Sequence, residues 1–209
     1  AEGLPADWRV PADTRDDIEP RPDLDTLGPR RWTPPPALAG ECPDMQGEVH
    51  RLEDGGGRPK LVILFLGMGC VHCVEQLQAF HPMADDYAEA GIDIVAIGTD
   101  GVADLLASQS GRAPEEAYPF PVLADPKMEV FHAYRAYDDF EDMPLHGTFL
   151  IDGAGRVRWQ DISFEPFTDP EFLLEESVRL LGLPGGVEER RAAGSTAGPS
   201  GSPGSSGSR

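Results

Sequence analysis

The chain has 209 residues, enough for one ordinary domain with extensions, and its 37 acidic against 17 basic side chains give a formal net charge of −20. This charge argues against binding to nucleic acid and provides no attraction to anionic membranes. No apolar stretch approaches the length of a membrane helix, so no membrane insertion is predicted. The start at Ala1, without Met or a signal peptide, indicates a processed product or an excised piece, and the cellular compartment stays undetermined.

The two ends of the chain have compositions that do not build a core. Residues 1–33 are acidic and rich in proline, with few apolar side chains, and are predicted to form an extended arm or linker. Residues 185–209 consist mostly of Gly, Ser, Ala and Pro and are predicted to be a disordered tail. The folded domain is therefore predicted to span residues 34–184.

The first part of this domain has weak structural signals. Cys42 lies in a stretch predicted to be irregular, and it is either a second resolving thiol or, as we favour, a bystander. Val49 and Leu52 predict a short strand that the glycine-rich turn at residues 54–57 ends.

The strongest pattern lies in residues 61–80. A continuous apolar run from Leu61 to Leu66 predicts a strand that is buried on both faces. Cys70-Val71-His72-Cys73 follows after two glycines, and from Cys73 onward apolar residues recur at steps of four and three, which predicts a helix. The two cysteines are therefore expected at the first turn of a helix that follows the carboxyl end of a central strand.

This position favours thiol chemistry. The free N–H groups and the positive dipole end of a helix N-terminus stabilise an anion, which for cysteine is the reactive thiolate. Cys70 precedes the first turn and is expected to be accessible, whereas Cys73 falls on the apolar face and is expected to be buried. The asymmetry predicts that Cys70 attacks the substrate and that Cys73 resolves the mixed disulfide.

A zinc site and a chance pairing of core cysteines are weaker interpretations of the same motif. The cysteine pair could form half of a zinc site, but the chain has no second C-x-x-C and no H-x-x-x-H to complete four ligands. A chance pairing is disfavoured because two of only three cysteines stand at this spacing directly after a buried strand. We therefore favour a redox-active dithiol.

The remaining elements follow in order. Pro82 is expected to kink the cysteine helix, and a second buried strand is predicted over residues 92–97. Thr99-Asp100-Gly101 predicts the start of another helix, and residues 120–123 predict a short extended segment.

The last third of the domain is predicted from turn and capping residues. Asp125 and Pro126 are expected to cap and begin a helix that runs to about residue 135. Residues 148–151 predict a third strand, which the turn at 152–155 joins to a hairpin partner. Asp169 and Pro170 then predict the start of a final helix, which Gly182 ends.

This order of elements predicts a thioredoxin-like three-layer α/β/α sandwich with a mixed sheet. Right-handed crossovers make the first two long strands parallel, and the hairpin adds an antiparallel edge.

Residues from about 45 to 183 resemble the redoxin family, the alkyl hydroperoxide reductase/thiol-specific antioxidant group of the thioredoxin superfamily. Four segments carry the resemblance: LVILFLGMGCVHC, IDIVAIGTD, FPVLADPKMEVFHAYRAY and HGTFLIDGAGRVRW. The resemblance implies an enzyme, a thiol-disulfide oxidoreductase that acts on a disulfide or a peroxide, with antioxidant peroxidase activity left open. It also implies a recycling dithiol/disulfide protein as partner and no organic cofactor, and it leaves the oligomeric state undetermined.

The family comparison singles out two histidines. Peroxiredoxins have an arginine, and thioredoxins a cis-proline, at the position of His146. There a neutral imidazole would accept the proton of Cys70 and a cationic one would hold its thiolate, while a loop-capping role is the structural alternative. His72 makes the motif C-x-H-C, which resembles the active site of periplasmic disulfide oxidases, where the histidine favours the thiolate. A solvent-facing residue without a role is the alternative for His72.

The resemblance also has departures and a competing interpretation. Peroxiredoxins carry a proline and a threonine before the peroxidatic cysteine, where this chain has Ile63 and Gly67 if Cys70 is that cysteine. The competing interpretation is a copper-binding, metallochaperone-like module that uses Cys70, Cys73 and His146, since some thioredoxin-like copper carriers use two cysteines and a distant histidine. Those carriers have one more residue between their cysteines.

Overall fold

A computed structural model describes most of the predicted domain. The described residues are 34–52, 57–110, 113 and 116–183. The predicted arm at 1–33 and the predicted tail at 185–209 lie outside this range, so both stay predictions. None of the helices in the described part of the chain combines the length and the apolar content that a membrane crossing requires.

The described residues form nine strands and five α-helices. The strands are β1 (Glu41–Pro43), β2 (Val49–Arg51), β3 (Lys60–Phe65), β4 (Asp93–Gly98), β5 (Val122–Ala124), β6 (Tyr137–Asp138), β7 (Met143–Pro144), β8 (His146–Ile151) and β9 (Val157–Ser163). The helices are α1 (Val71–Phe80), α2 (Ala84–Glu89), α3 (Val102–Gln109), α4 (Glu129–Ala133) and α5 (Pro170–Leu181).

The central sheet has five strands in the order β5-β4-β3-β8-β9. Strands β3, β4 and β5 are parallel, β8 runs antiparallel to β3, and β9 runs antiparallel to β8. The predicted mixed sheet is thus confirmed. Only the second strand of the predicted hairpin, β9, lies at the edge of the sheet. Its first strand, β8, lies next to β3, the central strand that precedes the cysteines.

Both faces of the sheet are covered, which explains the continuous apolar run in β3. Leu61, Ile63 and Phe65 pack on one face with α1 and α5, while Val62 and Leu64 pack on the other face with α4. A strand buried on both sides needs apolar residues at every position. The predicted three-layer sandwich is confirmed.

The predicted ends of two helices also agree with the structure. Pro82 lies in a 3-10 turn, His81–Met83, which separates α1 from α2. The Asp169 carboxylate accepts the N–H of Phe172 at the start of α5, and Gly182 ends that helix with a φ of 63°. Proline and glycine restrict or free the backbone of their own residue, so the sequence alone predicts these helix ends.

The predicted start of α4 is wrong by three residues. The helix begins at Glu129, after Met128 with a φ of 57°, rather than at Pro126. Asp125 still caps it, because its carboxylate accepts the N–H groups of Glu129 at 2.9 Å and Val130 at 2.8 Å. A turn closed by the bond from the Met128 N–H to the Asp125 carbonyl separates cap and helix, and side-chain pattern alone did not predict this turn.

Cys42 does not lie in an irregular segment, as the sequence analysis expected, but in strand β1. It pairs with His50 of β2 and is buried in the core on the sheet face opposite to α1. Burial, together with the negative charges of Asp125 and Glu129, raises the pKa of the Cys42 thiol to about 12. A protonated thiol on the far side of the sheet supports the bystander interpretation.

We therefore expect Cys42→Ser to destabilise the protein without changing its turnover. A serine hydroxyl in this apolar site would lose water contacts and cost about 1–3 kcal/mol in the free energy of unfolding. Urea unfolding measures this loss, and Cys42→Ala serves as the control that removes the sulfur without adding a polar group. A fall in turnover at unchanged stability would make Cys42 a participant in the reaction.

Candidate active site

The site begins where β3 passes into α1. Cys70 is the N-cap of α1, in extended conformation, and its Sγ accepts the backbone N–H of Cys73 at 3.4 Å. This bond gives one otherwise free N–H of the first turn a partner and points it at the Cys70 sulfur. Cys70 is half-buried, so a substrate can reach it. The helix N-terminus thus favours negative charge on an accessible sulfur.

Cys73 has a different environment although it is only three residues away. Its side chain is fully buried, and its Sγ accepts the backbone N–H of Leu66 at 3.3 Å. Burial raises the pKa of the Cys73 thiol to about 12, and the neighbouring Cys70 and the charge of Asp100 act in the same direction. Cys73 is therefore protonated at neutral pH.

The His146 side chain contacts the sulfur of Cys73. His146 is the first residue of β8 and is only 5% exposed. Its Nε2 lies 3.2 Å from the Cys73 Sγ, and its Nδ1 lies 2.8 Å from the carbonyl oxygen of Phe164. Since a carbonyl can only accept, we assign the ring hydrogen to Nδ1. In the neutral ring, Nε2 is then the acceptor for the Cys73 S–H.

These contacts correct one expectation of the sequence analysis. His146 was expected to act on Cys70, but the hydrogen-bonding distance is to Cys73. Burial lowers the pKa of His146 below its usual 6.5, although the Phe164 carbonyl and the charge of Glu165 oppose this effect. A neutral imidazole beside the buried Cys73 thiol fits this environment better than a cationic one beside the half-buried Cys70.

His72 lies on the exposed side of the first turn of α1. Its Nδ1 is 3.3 Å from a carboxylate oxygen of Glu75, and both side chains are mostly exposed. A surface pair of this kind contributes little to stability. The predicted effect of His72 on the thiolate stays a prediction.

Sequence reasoning missed Asp100, which supports the loop before Cys70. The Asp100 carboxylate accepts the N–H of Met68 at 2.7 Å, so Asp100 does not cap α3, whose N-cap is Gly101. Gly67 has a φ of 111°, and a Cβ there would lie 3.1 Å from the same carboxylate. A side chain at residue 67 would therefore be strained, and this holds for the threonine of the peroxiredoxin pattern. The sequence signal that could have identified Asp100 is its position just after the second buried strand. Functional sites commonly form beyond the carboxyl ends of parallel strands.

Two further polar side chains lie buried near the pair. Gln76 is one turn after Cys73 in α1, and its Nε2 donates to the Phe167 carbonyl at 3.0 Å and lies 3.4 Å from Thr148 Oγ1. Thr148 is two residues after His146 in β8 and so faces the same side of the sheet. The contact with Thr148 ties α1 to the strand that carries His146, and the bond to Phe167 ties α1 to the segment between β9 and α5.

The arrangement brings together three groups that the sequence analysis selected. The sulfurs of Cys70 and Cys73 and a ring nitrogen of His146 all lie within 4.8 Å of one another, and both cysteines are free thiols. Two thiols this close can form a disulfide after a small movement. The same three atoms are soft ligands that would suit a copper ion.

The comparisons with known proteins agree in the family that they indicate. The chain matches the AhpC/TSA family over residues 35–160. It is 30% identical over 155 residues to a peroxiredoxin of Thermoplasma volcanium, and this alignment covers 70% of this chain and 74% of the relative. It is 27% identical over 143 residues to a thioredoxin peroxidase of Echinococcus granulosus, which covers 66% of this chain and 72% of the relative.

The fold is also found among solved structures. The crystal structure of the peroxidoxin BcpB from Mycobacterium tuberculosis matches with a TM-score of 0.60 at 20% identity, covering 70% of this chain and 96% of that one. At this level of identity, the match supports the thioredoxin-like fold that the sequence predicts.

The two thiols are expected to differ strongly in alkylation. At neutral pH, iodoacetamide should modify Cys70 readily, while Cys73 should stay unmodified because it is buried and its pKa lies near 12. Peptide mass spectrometry after timed quenching measures both rates, and the protein unfolded in urea is the control in which both cysteines should react. Equal rates in the folded protein would contradict the assigned environments.

Proposed function

The chain belongs to the AhpC/TSA family, and on this premise we propose that it reduces hydroperoxides with Cys70 and Cys73 as its redox-active dithiol. It is a thiol-dependent oxidoreductase with a thioredoxin-like fold. The proposal assigns attack to Cys70, resolution to Cys73 and proton transfer during resolution to His146. The observation that carries it is the asymmetric pair of sulfurs within 4.8 Å, one accessible and one buried beside an imidazole.

In the first step, the Cys70 thiolate attacks the terminal oxygen of the hydroperoxide. The O–O bond breaks, the sulfur becomes a sulfenic acid, and the alkoxide leaves and takes a proton from solvent water to become the alcohol. The N–H of Cys73, at 3.4 Å from the Cys70 sulfur, stabilises the thiolate before attack. Cys70 is suited to this step because it is the accessible sulfur of the two.

In the second step, Cys73 attacks the sulfur of the sulfenic acid. A thiol with a pKa near 12 is a poor nucleophile at neutral pH until its proton is removed. His146 Nε2, 3.2 Å from that sulfur, takes the proton as the S–S bond forms. The departing hydroxide takes a proton from the imidazolium and leaves as water, so the step ends with a disulfide and a neutral histidine.

An external dithiol then completes the cycle. The relatives include a protein named thioredoxin peroxidase, and a reductant of the thioredoxin type suits a C-x-x-C disulfide whose Cys70 sulfur is accessible. Its first thiolate attacks Cys70 and releases Cys73, and its second thiol releases Cys70, so that both protein cysteines are reduced. The same chemistry supports exchange with disulfide substrates.

The copper-binding alternative rests on the same three side chains. Their donor atoms are close enough to bind one soft ion. The named relatives are peroxiredoxins and a thioredoxin peroxidase, and these names favour peroxide chemistry. We therefore rank metal binding second.

Single cysteine variants separate the two roles. Cys70→Ser should not consume hydrogen peroxide, because no accessible thiolate remains. Cys73→Ser should consume about one equivalent and then stop, since the sulfenic acid on Cys70 has no resolving thiol. A dimedone adduct measured by mass spectrometry reports that sulfenic acid, and Cys42→Ala is the control with normal turnover. If Cys70→Ser forms the adduct and Cys73→Ser does not, the roles are reversed.

His146 variants test the proton transfer. In His146→Ala, disulfide formation after peroxide attack should slow by about 100-fold, while the attack itself changes little. In the wild type, the resolution rate should fall at acid pH as the imidazole becomes protonated, at a pH below 6.5 because burial lowers the pKa of His146. Stopped-flow measurements over a pH series separate the two steps.

Two controls accompany this experiment. His146→Gln keeps a polar side chain in the buried site without titrating near neutral pH, so it should fold and lose the pH dependence of resolution. His81→Ala changes a half-buried histidine that contacts the Ala117 carbonyl and should leave both steps unchanged. An unaltered pH profile in His146→Gln would show that His146 is only structural.

A further inference from the structure

A short acidic hairpin leads into the active site. It consists of β6, β7 and the turn between them, residues 137–144, with the sequence YDDFEDMP. The Phe140 side chain at its tip is 92% exposed, the highest value among the exposed large apolar side chains in the described part of the chain. The proposed peroxide chemistry does not use this hairpin.

Hydrogen bonds within the turn order the backbone on both sides of Phe140. The Asp138 carboxylate accepts the N–H groups of Phe140 at 2.9 Å and Glu141 at 3.0 Å. The Tyr137 hydroxyl donates to Asp142 at 2.8 Å across the hairpin, and the two strands pair in antiparallel register. These bonds fix the backbone around the tip, and the Phe140 ring projects from it into solvent. An exposed aromatic ring in such a frame is typical of a contact site.

Charge restricts the partner that this hairpin can bind. Residues 137–144 contain four acidic side chains and no Lys or Arg. The whole chain also has a net charge of −20, so this acidic surface is not complementary to the same surface of a second copy. A complementary partner has positive charges around an apolar depression that takes the Phe140 ring.

The hairpin lies beside the proposed redox site. Leu145 alone separates it from His146, and six residue steps limit the distance from His146 to Phe140 to about 20 Å. Two more apolar side chains lie exposed at the site: Val71, between the cysteines, is 68% exposed, and Phe164, whose carbonyl holds His146, is 60% exposed. One protein interface of standard size, about 800 Å² per partner, can cover all of them.

We propose that the acidic hairpin, together with Val71 and Phe164, is the docking surface for a protein dithiol whose cysteines are surrounded by basic and apolar side chains. This inference rests on the proposed function in one respect, that the docked partner reduces the Cys70–Cys73 disulfide. The partner's thiolate attacks Cys70 and displaces Cys73, and its second thiol then releases Cys70. The partner is oxidised to its disulfide, and the protein regains two thiols.

Two synthetic dithiol peptides test this surface. Both carry a C-x-x-C pair and a tryptophan, and they differ only in whether the flanking residues are lysine or glutamate. The protein is first oxidised to its disulfide with diamide, and the initial rate of peptide disulfide formation is measured by chromatography after acid quenching. We expect the lysine peptide to react about tenfold faster at low salt, and the difference to shrink at high salt.

Variants locate the effect on the hairpin. Asp139→Asn/Glu141→Gln should lose most of the preference for the lysine peptide. The matched control Asp85→Asn/Glu89→Gln removes the same charge from α2, which follows the far end of the ten-residue α1, and should keep the wild-type preference. Phe140→Ser should slow the lysine peptide several-fold. Reduction by dithiothreitol should be equal in all variants, because a small neutral reductant does not need the docking surface.

Several results would overturn the proposal. An equal loss of preference in both double variants would assign the effect to net charge, and no preference in the wild type would remove the charge argument. A dimer in sedimentation that Phe140→Ser dissociates would assign the surface to a second copy. If the protein reduced with dithiothreitol fails to consume hydrogen peroxide, the proposed function fails, whereas the peptide preference, measured on the diamide-oxidised protein, is judged separately.

Discussion

The contact between His146 and Cys73 is the interaction on which the site depends. It joins the start of β8 to the first turn of α1, at 3.2 Å from nitrogen to sulfur. The strand is held beside β3, from which α1 follows, so the sheet itself sets this distance. The Phe164 carbonyl then selects the tautomer in which the nitrogen that faces the sulfur is free to accept. Secondary structure thereby supplies a thiol with an oriented base.

The same geometry gives the two cysteine side chains different environments. Cys70, at the helix cap, is accessible and receives an N–H from the first turn, while Cys73 is enclosed and protonated. In the proposed reaction, the buried thiol of Cys73 needs a base only when it attacks, after the sulfur of Cys70 has been oxidised. In the proposed reaction, the burial of Cys73 keeps this second sulfur away from outside oxidants, while the accessible Cys70 reacts first.

Local sequence signals predicted much of this fold. The apolar run of β3, the cysteine pair at the start of α1, the proline kink after it and both ends of α5 follow from period, capping and backbone restriction within a few residues. Shorter or less regular features were missed. Strand β1 has only three residues and needs β2 to form, and α4 begins after a turn that the Asp125 side chain spans.

Residue types and spacing thus determined that the chain has a thioredoxin-like sandwich and an asymmetric C-x-x-C at a helix N-terminus. The sequence also selected His146, through the family resemblance, as a position of interest. Only the tertiary structure decided that this histidine meets Cys73 instead of Cys70, and that Asp100 supports the loop at Met68. The first contact joins residues 73 positions apart and the second joins residues 32 apart. Such pairings depend on strand order and register across the sheet, which no short-range pattern in the chain encodes.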